Sequence, residues 1–202
     1  MGHKNPPRRK QDKTTPRSQL RIIAGEWRGR KLEFLATDGL RPTPDRVRET
    51  LFNWIQTVVP GAQCLDMFSG SGALGFEALS RGAERMTFIE RDAAAARQLN
   101  TNLQHLKAQN GEIIQTDVLA WLEARQPDQE SKYDLVFLDP PFRQNLIAPC
   151  CALLESKHLL RDNAYIYIET ESELANPDVP PHWQEYRNKT AGQVTYRLYK
   201  RV

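Results

Sequence analysis

Cys64-Leu65-Asp66-Met67-Phe68-Ser69-Gly70-Ser71-Gly72-Ala73-Leu74-Gly75 carries three glycines in a G-x-G-x-x-G spacing. An apolar run at 63–66 precedes them and a helical pattern at about 73–81 follows. The glycines therefore fall at a strand-to-helix turn, the setting of a nucleotide-type loop. Without Cβ atoms they let the backbone turn tightly and approach a ligand, although such a turn also serves packing alone. Asp66 sharpens the reading. A carboxylate facing a pyrophosphate is unfavourable, which counts against a dinucleotide. A ligand with a cationic amino-acid end and no phosphate fits better.

Outward from this loop the chain alternates. Short runs at 63–66, 86–90, 112–115, 133–139 and 165–169 are predicted strands, and helical patterns occupy about 73–81, 92–108, 118–125 and 144–157. In the second of these, Ala96, Leu99, Leu103 and Leu106 share a stripe, Asp92 is the expected N-cap, and Asn110-Gly111 the stop. Such alternation predicts an α/β fold, a parallel sheet with helices on both faces. Val194, Tyr196 and Leu198 alternate with Thr195, Arg197 and Tyr199 after Ala191-Gly192, which predicts an antiparallel hairpin closing one sheet edge. Thr43-Pro44-Asp45 opens a further helix, with Thr43 as its expected cap and Pro44 at the first position. Gln19 to Phe34 reads as a hairpin around Ala24-Gly25-Glu26, its polar face a row of arginines. The expected division is a disordered basic arm at 1–19, a basic hairpin extension at 20–42 and the main domain at 43–202.

Acids end the next strands. Glu90, at the end of the second, can accept both ribose hydroxyls of a nucleoside. Asp117, after the third, can accept from an adenine amino group or simply cap the helix at Val118, and the two roles carry equal weight. Acids on successive strand ends share one rim, where ligands of open α/β sheets bind. The fourth strand runs into Asp139-Pro140-Pro141-Phe142. Each proline fixes its own φ and restricts the residue before it, so the loop is stiff. Neither proline offers an N–H. The loop therefore presents acceptors, the Asp139 carboxylate and the Pro140 carbonyl, suited to the two hydrogens of an exocyclic NH2, with Phe142 free to lie against the ring.

Composition sets the outer limits. The chain has 202 residues, 40% hydrophobic, enough for one ordinary core. No apolar run approaches the roughly 18 residues of a membrane span, and the polar, basic first twenty residues do not resemble a signal peptide. Cys64, Cys150 and Cys151 make no disulfide framework, so a reduced, cytoplasmic protein is expected. The four histidines show no metal-ligand spacing, and no metal is expected. The net charge of +3 conceals +8 over residues 1–48 and −5 over the rest, an asymmetry that suits a polyanionic partner or merely a solubilising tail.

The D-x-F-x-G-x-G loop and the D-P-P-F motif resemble those of class I S-adenosylmethionine-dependent N-methyltransferases. More narrowly, Arg21-Ile22-Ile23-Ala24-Gly25-Glu26-Trp27-Arg28-Gly29-Arg30-Lys31-Leu32, the block from Leu40-Arg41-Pro42-Thr43 to Phe52-Asn53-Trp54, and Ala191-Gly192-Gln193-Val194 resemble the RsmD family. The similarity covers about residues 20–201. It implies a Rossmann-like fold with a mostly parallel seven-stranded sheet, and methyl transfer to N2 of a guanine in bacterial 16S ribosomal RNA, free or within the small subunit. It implies S-adenosylmethionine as cofactor and S-adenosylhomocysteine as product. Asp66, Phe68, Ser69, Gly70 and Gly72 would hold the methionine moiety, Glu90 with Arg91 the ribose, and Asp117 with Val118 the adenine. Asp139, Pro140, Pro141 and Phe142 would hold the target base. Arg21, Arg28, Arg30, Lys31, Arg41, Arg46 and Arg48 would contact RNA, with the chain acting as a monomer away from membranes. Arg at a helix start can instead pair with Asp45 or Glu49.

Three rivals share parts of this pattern. A nicotinamide-dependent oxidoreductase would use the glycine loop, but Asp66 and D-P-P-F oppose it. A DNA adenine or cytosine amino-methyltransferase shares the catalytic motifs but would need a larger target-reading region. A non-catalytic RNA-binding module accounts for the basic residues and leaves the rim acids without a role.

Overall fold

In the computed structural model, which describes residues 17–35, 43–127 and 132–202, two antiparallel strands come first, β1 (Arg17–Arg21) and β2 (Lys31–Leu35). Next are α1 (Asp45–Trp54), β3 (Gln63–Asp66), α2 (Ala73–Ser80), β4 (Arg85–Glu90), α3 (Ala93–Leu106) and β5 (Gly111–Gln115). Then follow α4 (Val118–Glu123), β6 (Tyr133–Leu138), α5 (Ile147–Ser156), β7 (Leu160–Glu171), β8 (Trp183–Ala191) and β9 (Val194–Arg201). The larger sheet has seven strands in the order β5-β4-β3-β6-β7-β9-β8. Its first five strands are parallel, and β9 runs antiparallel between β7 and β8. The strand order reverses between β3 and β6, the point at which a crevice opens above the strand ends.

Side-chain parity divides the core. Cys64, Met86, Phe88, Leu135, Phe137 and Tyr167 point to one face, against α1, α2, α3 and the hairpin. Leu65, Ile89, Val136, Leu138, Ile166 and Ile168 point to the other, against α4 and α5. The expected stripe of Leu99, Leu103 and Leu106 is buried, as are Cys150 and Cys151 beside Ile147 and Leu154. Asp92 caps α3 as expected, accepting the N–H groups of Ala94 and Ala95. Helix α5 starts at Ile147 rather than near 144, because Arg143 (φ 61°) and Asn145 (φ 53°) take left-handed backbone that no helix continues through.

The N-terminal strands differ from expectation in two ways. Strand β1 already begins at Arg17, inside the segment assigned to the arm. The hairpin also shares the core, since Leu20, Ile22, Trp27, Leu32 and Phe34 join the cluster of Leu51, Phe76 and Leu99. Glu77 fastens it. This fully buried carboxylate accepts the N–H groups of Ile23 at 2.8 Å and Ala24 at 3.0 Å. It also pairs with Arg81 at 2.7 Å and Arg48 at 3.4 Å. Ser80 adds bonds to the N–H of Trp27 and the carbonyl of Ala24.

Arg48 was expected to meet RNA, but the fold turns it into the core. It is 1% exposed, and its guanidinium is spent on Glu77, Asp45 and the Arg21 carbonyl. On α1 it falls next to Val47 and one turn before Leu51 and Phe52, all buried on the core side. Replacing Glu77 with Ala leaves Arg48 and two amides buried without this partner, and should cost about 3–5 kcal/mol in urea unfolding. A loss no larger than the roughly 0.5 kcal/mol of a surface change contradicts that role.

Candidate active site

Four strands deliver carboxyls to one place. Asp66 pairs in register with Phe88 of β4 and Phe137 of β6. Asp66, Glu90, Asp139 and Glu169 each lie an even number of residues from Cys64, Phe88, Phe137 and Tyr167 respectively, so all four fall on the same face. Glu90 and Asp139 lie one residue pair, about 6.6 Å, beyond Asp66 along the strands. Glu169 stands level with Asp139, one step past the Leu138–Ile168 pair and about 4.8 Å across the sheet.

The loop after β3 is sutured to both neighbours. Met67 N–H donates to the Phe137 carbonyl at 3.0 Å and Ser69 N–H to the Ile89 carbonyl at 3.1 Å. Ser69 hydroxyl donates to the Asp66 carbonyl at 3.0 Å. Gly72 has φ +76°, and a Cβ there would lie 2.5 Å from the Phe76 ring. At Gly75 a Cβ would lie 2.1 Å from the Phe88 ring, so this glycine sets the approach of α2 to β4. Phe68 is half-buried. Gly70 N–H donates to Glu90 at 2.8 Å, and the other Glu90 oxygen takes the N–H of Asp92 at 2.7 Å. Arg91, next along, is exposed. Asp117 caps α4 through the N–H groups of Leu119 and Ala120, while Val118 is buried behind it.

The rim is electrostatically unbalanced. Burial pushes Asp66 up to about 7, the Glu90 charge adds to this, and N–H groups of Gly75 and Phe68 oppose it. Asp139 is raised by burial and by the charges of Glu169 and Asp66, against a hydrogen bond from Thr43. Glu169 is raised by burial, against hydrogen bonds from Tyr167 and Thr43. Among the described residues no ion pair reaches any of the four. A cation is the group that would offset this desolvation.

Thr43 shows why one expectation failed. Helix α1 starts at Asp45 after Pro44 and has no side-chain cap. The Thr43 side chain lies instead beside Asp139 and Glu169, where it partly offsets the upward shift of both carboxyls. Sequence reasoning missed Glu169 and Tyr167 as well. The signal available was that the 165–169 run also ends in an acid.

Beside the rim, Pro140, Pro141, Phe142, Asn145, Glu169 and Glu171 help to line a cavity of about 200 Å³. Phe142 is 41% exposed at its wall. The hairpin basic residues lie elsewhere. Arg21, Arg28, Arg30 and Lys31 are exposed, but the 22–30 connection docks on Ser80, at the end of α2 opposite the glycine loop. Arg30 there lines an open groove of about 570 Å³ with Lys107 and Asn110. Arg46 is exposed near Thr43, and Arg41 lies outside the described residues. No group of His, Cys, Asp and Glu suited to a metal occurs among the described residues. No helix among them is long and apolar enough to cross a membrane.

A seven-stranded sheet of this order, with a glycine loop after β3 at the switch point, defines the chain as an α/β protein of the class I methyltransferase fold. It belongs to the family described as Conserved hypothetical protein 95, the RsmD family, whose profile matches residues 20–200. Ribosomal RNA small subunit methyltransferase D of Escherichia coli K12 is 51% identical over 183 residues, which is 91% of this chain and 90% of that protein. The solved structure of yhhF from Escherichia coli superposes with a TM-score of 0.81, at 51% identity over 91% of this chain and 98% of the other. SMU.776, solved as a complex with SAH, shares the fold at 16% identity and a TM-score of 0.67, over 94% of this chain and 57% of that one.

The raised Asp66 fixes the sign of a pH effect. A carboxyl that holds its proton more tightly when folded contributes stability below its ordinary value of 3.8, and that stability is lost as pH rises through about 7. Without ligand, the melting temperature of wild type should fall more steeply over that interval than that of Asp66→Asn. Parallel curves contradict it.

Proposed function

We propose that this chain transfers a methyl group from S-adenosylmethionine to the N2 amino group of a guanine in 16S ribosomal RNA, guanine 966, acting as a cytoplasmic monomer. One observation carries the reading: a glycine loop with a buried, cation-seeking Asp66 shares its rim and its face with the Asp139-Pro140-Pro141-Phe142 loop. The name of the 51% identical relative supports the ribosomal RNA substrate.

The cofactor, when bound, supplies a methyl group on a positively charged sulfur. Asp66 and the loop at 68–72 suit its amino-acid end. Glu90 retains lone pairs for ribose hydroxyls beyond the two N–H bonds it accepts. Asp117 has one oxygen not used in capping α4. Asp139 and the Pro140 carbonyl hold the amino hydrogens, so the nitrogen lone pair is aimed in line with the S–C bond. Alignment of this kind can supply about 7–11 kcal/mol. Methyl transfer would leave the S–C electron pair with the product sulfide and a surplus proton on the nitrogen. That proton passes to Asp139, which burial and neighbouring charge make more basic than an ordinary carboxylate. Phe142 stacks on the extracted base, worth about 1–3 kcal/mol, against the cost of leaving the RNA stack.

Asp139→Asn should keep S-adenosylhomocysteine affinity in calorimetry and lose about 100-fold or more in transfer rate. Mapping of methylated nucleotides in ribosomal RNA from cells with and without the gene then identifies the target. Unchanged maps, or no calorimetric binding of the product, overturn the reading.

Arg21, Arg28, Arg30, Lys31 and Arg46 supply the phosphate contacts. Reversing Arg28, Arg30 and Lys31 together should weaken RNA binding and reduce its log–log salt slope by about 0.7 per lost contact on single strands. An unchanged slope removes the hairpin from the interface.

A further inference from the structure

We propose that Glu169 reads the target base, accepting the ring N1–H of guanine beside the amino group held at Asp139. This rests on the amino-transfer reading above and adds the group that separates guanine from the other amino-bearing bases. Glu169 lines the same cavity as the proline loop. Its carboxyl neighbours that of Asp139 on the adjacent strand and the same face. The residue is 4% exposed.

The carboxyl is also held in place. Tyr167, fully buried, donates its hydroxyl to Glu169 Oε1 at 2.7 Å. Burial and the adjacent Glu169 and Asp139 charges raise the phenol, so it remains a neutral donor. Thr43, just before the start of α1, lies beside both carboxyls and favours their charged forms. A fixed acceptor of this kind is what discrimination by hydrogen bonding needs. Thr170, next in line, also lines the cavity, but its hydroxyl is engaged with Arg197 and the Thr195 carbonyl.

The cavity of about 200 Å³ equals the liquid share of six or seven waters at about 30 Å³ each, commensurate with one base. Along its Watson–Crick edge guanine presents two neighbouring donors, N2–H and N1–H. Asp139 with the Pro140 carbonyl, and Glu169 level with Asp139 on the adjacent strand, offer acceptors for these two donors. Adenine and cytosine place a ring-nitrogen lone pair next to their amino group. Seated by that amino group, either one sets this lone pair against the Glu169 carboxylate, leaving buried acceptors facing each other.

The test uses 2,6-diaminopurine, which keeps the N2 amine and replaces N1–H by a lone pair. Small ribosomal subunits are reconstituted around ligated 16S RNA carrying either guanine or this analogue at the mapped target, and kcat/KM is measured for each. Wild type should prefer guanine by about 10–100-fold, the worth of a hydrogen bond to a charged group. Glu169→Gln, whose amide can donate to the analogue, should narrow that ratio with unchanged S-adenosylhomocysteine affinity. Tyr167→Phe, which loosens the carboxyl without removing it, should shift the ratio the same way and serves if the first variant fails to fold. A merely structural Glu169 would lower both rates alike, and an unchanged ratio in either folded variant overturns the proposal. So does a wild type that uses both bases equally. No transfer to the guanine RNA by wild type, with product binding intact, overturns the amino-transfer reading itself.

Discussion

Strand parity in a parallel sheet is the constraint on which the site depends. Once β4, β3, β6 and β7 are adjacent and in register, residues two apart share a face, and four strand-end carboxyls converge. Three of them, Asp66, Asp139 and Glu169, are drawn from water without a counter-charge among the described residues and hold protons more tightly than usual. A fold does not retain such a rim for stability, because uncompensated buried carboxyls oppose folding above their ordinary range. A cationic ligand turns the penalty into binding energy. Perturbed carboxyls lining a crevice at a topological switch point are therefore functional in character.

The hairpin and helix α1 belong to this site as much as to the basic surface. Glu77 gathers Ile23, Ala24, Arg48 and Arg81, and Arg48 carries α1 with it. The start of α1 brings Thr43 to Asp139 and Glu169. Loss of the Glu77 hub would thus disturb the start of α1, where Arg48 and Thr43 both sit, as well as the seating of the hairpin. The exposed arginines of the hairpin and the carboxyl rim lie at opposite ends of α2.

Much of this was legible beforehand, for reasons that can be named. The sheet and its helices follow from period-two and 3.6-residue patterns with local caps such as Asp92, and local signals need no partner to be read. Asp66 and Asp139 were legible because each lies at a strand end beside a glycine or proline turn, and Glu90 because it ends the next strand on the same rim. Arg48 was misread because its charge looks the same in sequence whether it faces RNA or Glu77; only packing against α2 decides. Thr43 has every mark of a cap, yet the tertiary offer of two carboxyls outweighs the local one. Glu169 lacked an adjacent glycine or proline, so its strand-end position drew no notice. The left-handed Arg143 and Asn145, which shorten α5 and shape the cavity wall, leave no compositional trace at all.

The most direct test of the carboxyl-lined site is a crystal structure of the chain with S-adenosylhomocysteine. The expected density places the amino-acid end against the Asp66 loop and the ribose at Glu90, with sulfur opening toward Asp139 and the small cavity. A ligand seated away from these four strand ends, or with its sulfur turned from Asp139, contradicts the assignment.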